Sequence, residues 1–123
     1  MMTINAMITE DDLLSRAMLC DLLEDYFPDI RIIGMAENVK DSLSFLKDHK
    51  IDLLFLDIEL PDGKGFDILT GSENMNFGVI VTTSCASHAG SGKFCNLVDF
   101  LVKPVTRRTL SNAIEIYHQQ LHT

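Results

Sequence analysis

The feature that most constrains the fold is a run of four bulky apolar residues, 53–56, that ends directly in Asp57. An uninterrupted apolar run of this length is typical of a strand covered on both faces, as in a parallel sheet. Pro61 and Gly63 follow shortly after it, and both favour a loop over a longer strand. Because open α/β sheets bind ligands outside the carboxyl ends of their strands, Asp57 is placed for chemistry rather than for packing.

Strand-like and helix-like segments alternate along the chain, which predicts βα units and a parallel sheet. The expected strands are 4–8, 31–35, 53–57, 79–82 and 98–102. The expected helices are 12–27, a second one that begins after an N-cap at Asn38, a short one at 65–69, and 106–121. Alternation also requires a helix over 87–94, where Gly90 and Gly92 would each weaken it by about 1 kcal/mol. That helix is expected to be short or frayed.

Apolar residues spaced three or four apart predict which face of each helix is buried. The expected stripes are Leu14, Met18 and Leu22 in the first helix, Val39, Leu43 and Leu46 in the second, and Leu110, Ile114, Tyr117 and Leu121 in the last.

Length and composition bound the class of protein. The 123 residues fit one domain that is long enough to bury a core. A net charge of −8 disfavours binding to DNA, RNA or anionic lipid through the overall field. No segment approaches the roughly 20 apolar residues of a membrane span, and no signal peptide is evident. The three cysteines match no zinc motif, so the sequence predicts a cytoplasmic protein with reduced thiols.

Polar side chains directly follow four of the predicted strands: Glu10 and Asp11 the first, Asp57 the third, Thr83 the fourth and Lys103 the fifth. Because carboxyl ends of parallel strands share one edge of the sheet, these side chains should meet in one crevice. Three carboxylates this close repel one another, which should raise the pKa of at least one. A divalent cation offsets the repulsion, and an all-oxygen site with few protein ligands suits Mg²⁺.

The same set contains the parts needed to form and hold an aspartyl phosphate. Asp57 is a carboxylate nucleophile, Lys103 a mobile positive charge for a phosphoryl oxygen, and Thr83 a hydroxyl donor. Plainer interpretations exist for each residue of the set. Asp57 could cap a turn, Thr83 could bond only to nearby backbone, and Lys103 could be an ordinary surface lysine. Glu10 and Asp11 could merely cap the first helix. Their convergence on one edge favours the phosphoacceptor interpretation.

These motifs resemble those of response regulator receiver domains of the CheY-like family. The matching segments are 10–12, 56–63, 82–84 and Lys103-Pro104, each after a predicted strand, and the likeness covers essentially the whole chain. Segments 56–66 and 82–83 are most similar to receivers of LytTR-type response regulators. The resemblance implies one flavodoxin-like (βα)5 domain over residues 1–123, with no effector domain. It also implies a doubly wound α/β fold, with a parallel sheet of order 2-1-3-4-5 and helices on both faces.

The resemblance also implies a role for each acidic residue at this edge. Asp57 would accept the phosphoryl group, and Asp11 and Asp57 would bind Mg²⁺ directly. The backbone carbonyl of Glu59 would complete the protein ligands, and Glu10 would act on the metal through water.

Four further residues take implied roles in the response to phosphorylation. Thr83 and Lys103 would contact the phosphoryl group. Phe100 occupies the position of the family's aromatic residue that turns inward on activation, so Phe100 and Thr83 would form the switch. The Lys103–Pro104 peptide bond would be cis, as is usual in the family.

As such a domain, the chain would be a signalling switch that catalyses only its own Mg²⁺-dependent phosphorylation and dephosphorylation. The implied partners are a histidine kinase, a downstream effector protein or separate LytTR-type DNA-binding domain, and a second copy in a phosphorylation-dependent homodimer. The domain itself would contact neither nucleic acid nor membrane.

Two alternatives remain open from the sequence. A degenerate receiver that serves only for docking is favoured by the glycines in 87–94, but the complete acidic site argues against it. A Mg²⁺-dependent phosphatase with an aspartyl intermediate is suggested by Glu59, two residues beyond Asp57, although no length remains for a cap over its substrate.

Overall fold

The computed structural model describes residues 3–71, 76–85 and 96–121. In chain order the elements are β1 (Ile4–Thr9), α1 (Leu13–Tyr26), β2 (Ile30–Ala36), α2 (Val39–Asp48), β3 (Leu53–Asp57), β4 (Glu59–Leu60), β5 (Gly63–Lys64), α3 (Phe66–Gly71), β6 (Gly78–Thr83), β7 (Leu97–Val102) and α4 (Arg107–Leu121). The helix expected over 87–94 lies outside the described residues. None of the described helices is long and apolar enough to cross a membrane.

Five parallel strands form one sheet in the order β2-β1-β3-β6-β7. The two-residue strands β4 and β5 pair only with each other, so β6 and β7 are the fourth and fifth strands of the main sheet. The observed order is therefore the expected 2-1-3-4-5, which confirms the fold class. The β4–β5 hairpin was not expected, since the sequence predicts a plain loop at this point. All five residues of the central strand β3 are buried, as its apolar run predicts.

The core consists of two layers, one on each face of the sheet. Leu53 and Phe55 of β3 pack on the face covered by α1 and α4, whereas Leu54 and Leu56 pack on the face covered by α2 and α3. This alternation follows from the two-residue period of a strand. The strand is therefore fixed from both sides, and so is the backbone of Asp57 at its end.

The stripe predicted for α1 is wrong in two of its three residues. Leu14 and Met18 are 68% and 45% exposed, while Leu19 and Leu23 are buried. Leu22 is partly buried against the same core. The helix offers two apolar rows at the same spacing, so periodicity alone does not select the buried one.

The stripes predicted for the other two helices fit better. The Val39 row of α2 packs, partly buried, against the core on its face. In α4, Leu110, Ile114 and Tyr117 are buried. Leu121 is 42% exposed, which contradicts the prediction because the helix ends there and extends past the core.

Candidate phosphoacceptor and metal site

The site lies at the carboxyl ends of β1 and β3, between which the strand order of the sheet reverses. A crevice opens at such a point because the connections from the two strands leave toward opposite faces. Glu10 and Asp11 follow β1, and the Glu10 amide donates to the Ala36 carbonyl at 2.9 Å. Asp57 is the last residue of β3 and is paired with Thr82 of β6.

Both oxygens of the buried Asp57 carboxylate have partners. Oδ1 accepts a hydrogen bond from the Glu59 amide at 3.0 Å, and Oδ2 lies 3.2 Å from Lys103 Nζ. The loop behind the strand packs tightly against it, because a Cβ on Gly65 would collide with the Asp57 carbonyl oxygen. The carboxylate is thus held in one orientation at the floor of the crevice.

Glu10, Asp11 and Asp57 offer carboxylate oxygens that all lie within 4.8 Å of one another. Glu10 and Asp57 are buried, and Asp11 is exposed at the rim. The pKa of Glu10 is raised to about 7, mainly because the carboxyl is buried and secondly because it lies beside the Asp57 carboxyl. A shift of this sign is what crowded carboxylates predict. This oxygen donor set fits Mg²⁺, which uses a few carboxylates and retains several waters.

Lys103 bridges two of these carboxylates. Its Nζ lies 2.5 Å from Glu10 Oε1 and 3.2 Å from Asp57 Oδ2. Burial by itself would lower the pKa of Lys103, but its contacts with the two acids outweigh that effect and raise it. The amine is therefore charged at neutral pH and offsets part of the acidic cluster. Its backbone amide donates to the Thr83 carbonyl at 2.7 Å, and the Lys103–Pro104 peptide bond is cis.

Thr83 and Phe100 lie further from the carboxylates. Thr83 is buried at the end of β6, where two hydrogen bonds of 3.1 and 3.3 Å join its hydroxyl to the backbone of Cys85. Phe100 is half-buried on β7 and packs against the core on the α2 and α3 face. The structure thus brings Glu10, Asp11 and Asp57 together with Lys103, and it places Thr83 at the end of the adjoining strand.

Sequence reasoning missed one residue that holds this cluster. Arg16 of α1 donates from Nη1 to the Glu10 carbonyl at 2.9 Å and to Glu37 Oε1 at 3.1 Å. It therefore ties the end of β1 to the segment after β2. A single arginine in the first turns of a helix carries no distinctive sequence signal, because most such residues face solvent.

The fold and the site together define a doubly wound α/β domain with an acidic, lysine-containing centre at its switch point. Residues 6–115 match the sequence model of the response regulator receiver domain, and the chain belongs to that family. Its members are the receiver domains of response regulators in two-component systems.

Three curated relatives illustrate the similarity. CitT of Bacillus subtilis is 34% identical over 107 residues, which are 84% of this chain and 47% of CitT. LytT of Bacillus anthracis is 29% identical over 119 residues, 95% of this chain and 48% of LytT. An uncharacterised response regulatory protein of Vibrio cholerae is 30% identical over 122 residues, 97% of this chain and 46% of its own length. The expected resemblance to response regulators of the LytT kind is thus found, together with a resemblance to CitT, and the chain spans about half the length of these relatives.

Solved structures show the same fold. The response regulatory domain of mrkE from Klebsiella pneumoniae superimposes with a TM-score of 0.84 at 23% identity, over 97% of this chain and 98% of that one. A chain of the CheX–CheY complex from Borrelia burgdorferi gives a TM-score of 0.80 at 21% identity, over 92% of this chain and 87% of that one.

Proposed function

We propose that this domain is a phosphorylation switch in which Asp57 accepts a phosphoryl group from a histidine kinase. The observation that carries the proposal is the position of Lys103, whose amine contacts Asp57 and Glu10 beside the third carboxylate, Asp11. An aspartate kept only for packing would have no reason to lie among like charges, since their repulsion costs free energy.

In the proposed reaction the Asp57 carboxylate attacks the phosphorus of a phosphohistidine. A P–O bond forms as the P–N bond breaks, and the imidazole leaves with the bonding electron pair. The Glu59 amide on Oδ1 keeps the carboxylate oriented for this attack. The Lys103 amine would then exchange a contact with the carboxylates for one with a negatively charged phosphoryl oxygen.

The metal ligands proposed are Asp11, Asp57 and the carbonyl of Glu59, with Glu10 acting through water. Mg²⁺ bound there would neutralise the carboxylates and the charge on the phosphoryl oxygens. The proposal that the cation is Mg²⁺ is supported by one structural neighbour, because the CheX–CheY complex of Borrelia burgdorferi was solved with BeF3 and Mg²⁺.

The proposed output is a shift between two conformations. To contact a phosphoryl group, the Thr83 hydroxyl would exchange its hydrogen bonds with the Cys85 backbone for one to the phosphoryl oxygen. That exchange would alter the segment after β6 and let Phe100 turn inward. A downstream effector protein, a LytTR-type DNA-binding domain, or a second copy of this domain would read the change.

Incubation with acetyl phosphate and Mg²⁺ tests the proposal by intact-protein mass. We expect the mass of one phosphoryl group to be added, and we expect Asp57→Ala to abolish the gain. Asp48→Ala, at the exposed end of α2, is the matched control and should be labelled like the unaltered domain. Labelling that persists in Asp57→Ala would overturn the proposal, and a domain that neither binds Mg²⁺ nor becomes labelled would favour the docking module.

A further inference from the structure

One exposed carboxylate ties the loop after β3 to the N-terminus of α2. Asp62 lies in the turn of the β4–β5 hairpin, and its Oδ1 accepts from the Val39 amide at 2.8 Å. Its Oδ2 accepts from the Lys40 amide at 3.1 Å. The hydrogen bond from the Val39 amide, and to a smaller extent that from Lys40, holds the pKa of Asp62 below its usual value. The carboxylate is therefore ionised at neutral pH, as a favourable contact with a helix N-terminus requires.

The helix does not need Asp62 for its local cap. The amides of Val39, Lys40 and Asp41 have no acceptor within the helix, as is general for a first turn. Asn38 is the local N-cap and accepts from the Asp41 amide at 2.7 Å. The other two amides bind Asp62, which lies more than twenty residues further along the chain. This second cap joins two elements rather than starting one.

The same turn of α2 is attached on its other side to the end of β1. Ser42 and Thr9 are both buried, and their hydroxyl oxygens lie 2.9 Å apart. Ser42 donates its one hydroxyl hydrogen to the Asn38 carbonyl at 2.8 Å, so Thr9 is the donor in the bond between the two hydroxyls. Thr9 directly precedes Glu10 and Asp11, the acids of the first strand.

We propose that the first turn of α2 is a brace across the metal site and that Asp62 is a positioning residue for Mg²⁺ binding. One end of the brace fixes Thr9, and with it Glu10 and Asp11. The other end fixes the hairpin that begins at Glu59. The hydrogen bonds of Asp62 go to backbone amides of α2, so it would act by setting the distance between Glu59 and the two acids that follow β1. The inference rests on the proposed function, since it concerns the ligands of the same cation.

The chemistry of Mg²⁺ makes such a brace consequential. This small cation demands near-ideal octahedral geometry, so a displaced ligand lowers its affinity. Groups that orient metal ligands typically contribute about 10–100-fold to metal affinity. Because the brace acts through two hydrogen bonds from an exposed residue, we expect the lower end of that range.

The test is a Mg²⁺ titration of the folded domain by calorimetry, together with acetyl phosphate labelling rates over a range of Mg²⁺ concentrations. For Asp62→Ala we expect the Mg²⁺ dissociation constant to rise roughly 10-fold, while the labelling rate at saturating Mg²⁺ stays unchanged. Asp62→Asn keeps one acceptor oxygen, so its Mg²⁺ dissociation constant should lie between those of the unaltered domain and Asp62→Ala. Thermal unfolding establishes that each variant is folded at the assay temperature.

Asp41→Asn is the matched control, because it removes one negative charge from the exposed first turn of α2, to which Asp62 binds, and leaves the Asp62 contacts in place. We expect its Mg²⁺ affinity to change by less than about 2-fold, since salt screens the field of an exposed charge. An equal loss in Asp41→Asn and Asp62→Ala would overturn the brace by assigning the effect to charge alone. Unchanged affinity in Asp62→Ala would also overturn it while leaving the proposed function intact. A domain that binds no Mg²⁺ in any variant would overturn both.

Discussion

The two ends of β3 carry the same residue type in opposite environments. Asp52, just before the strand, is exposed, and its Oδ2 accepts from the Asn5 amide at 2.8 Å. Asp57, at the other end, is 4% exposed and lies against Glu10 and Lys103. The first carboxylate satisfies a backbone donor at the amino edge of the sheet. The second is held among like charges at the carboxyl edge.

The role of a carboxylate thus depends on which end of a parallel strand it occupies. A hydrogen bond to backbone stabilises the fold. A crowded acidic cluster instead lowers stability, because its carboxylates repel one another unless a bound cation offsets their charge. Equivalent substitutions at the two ends of β3 should therefore have opposite consequences for stability and for labelling.

The largest expected effect is loss of labelling in Asp57→Asn. The substitution removes the nucleophile, so acetyl phosphate should add no phosphoryl group, while Asp52→Asn should be labelled at the rate of the unaltered domain. Urea denaturation should also give Asp57→Asn an unfolding free energy at least as high as that of the unaltered domain, because one of the crowded charges is gone. A clear loss of stability in Asp57→Asn would contradict the contrast between the two ends.

The next effect concerns the cation that offsets the cluster. Lys103→Ala leaves Glu10 and Asp57 without their amine partner, and removal of one member of a buried ion pair costs roughly 3 kcal/mol. Because Lys103 is partly exposed, we expect a loss of about 2 kcal/mol in unfolding free energy, measured in urea without metal. Mg²⁺ should restore part of it. Lys50→Ala, at an exposed position, is the control and should change stability little.

A smaller effect should appear in the pH dependence of Mg²⁺ binding. The pKa of Glu10 is raised from 4.5 to about 7 by burial and then by Asp57. In the absence of metal, this group's contribution to stability is complete below pH 4.5 and is lost as the pH rises through about 7. Mg²⁺ favours the ionised form, so calorimetry should find tighter binding at pH 8 than at pH 6. If Mg²⁺ affinity rose with pH equally in the unaltered domain and in Glu10→Gln, a group other than Glu10 would be responsible for the pH dependence.

The smallest effect belongs to the amino edge. Asp52→Ala removes one hydrogen bond to the Asn5 amide, and we expect a loss of about 1 kcal/mol in unfolding free energy with normal labelling. Urea denaturation monitored by circular dichroism measures it. Reduced labelling in this variant would contradict the separation of roles along β3.

Much of this architecture follows from sequence because its signals are local. The apolar run before Asp57 identifies a buried strand, and the alternation of segments identifies a parallel sheet. Asn38 before an apolar row predicts the start of α2, and the structure shows it as the N-cap. From these elements alone, the acids and Lys103 could be assigned to one edge.

The remaining features depend on contacts between distant segments, for which periodicity carries no information. In α1 two apolar rows compete, and Leu19 rather than Met18 faces the core. Arg16 and Asp62 both act on backbone groups of other elements, so neither stands out from ordinary exposed charges in the sequence. The β4–β5 hairpin is too short to have a pattern of its own.

The most direct measurement locates the phosphoryl group within the chain. After acetyl phosphate treatment with Mg²⁺ or with EDTA, borohydride would reduce any acyl phosphate, and mass spectrometry of the peptides would identify the modified acid. We expect a single modification at Asp57, which contacts Lys103 at the carboxyl edge of the sheet, and we expect it only when Mg²⁺ is present. Modification at Asp52 or another acid, or equal labelling in EDTA, would contradict the account.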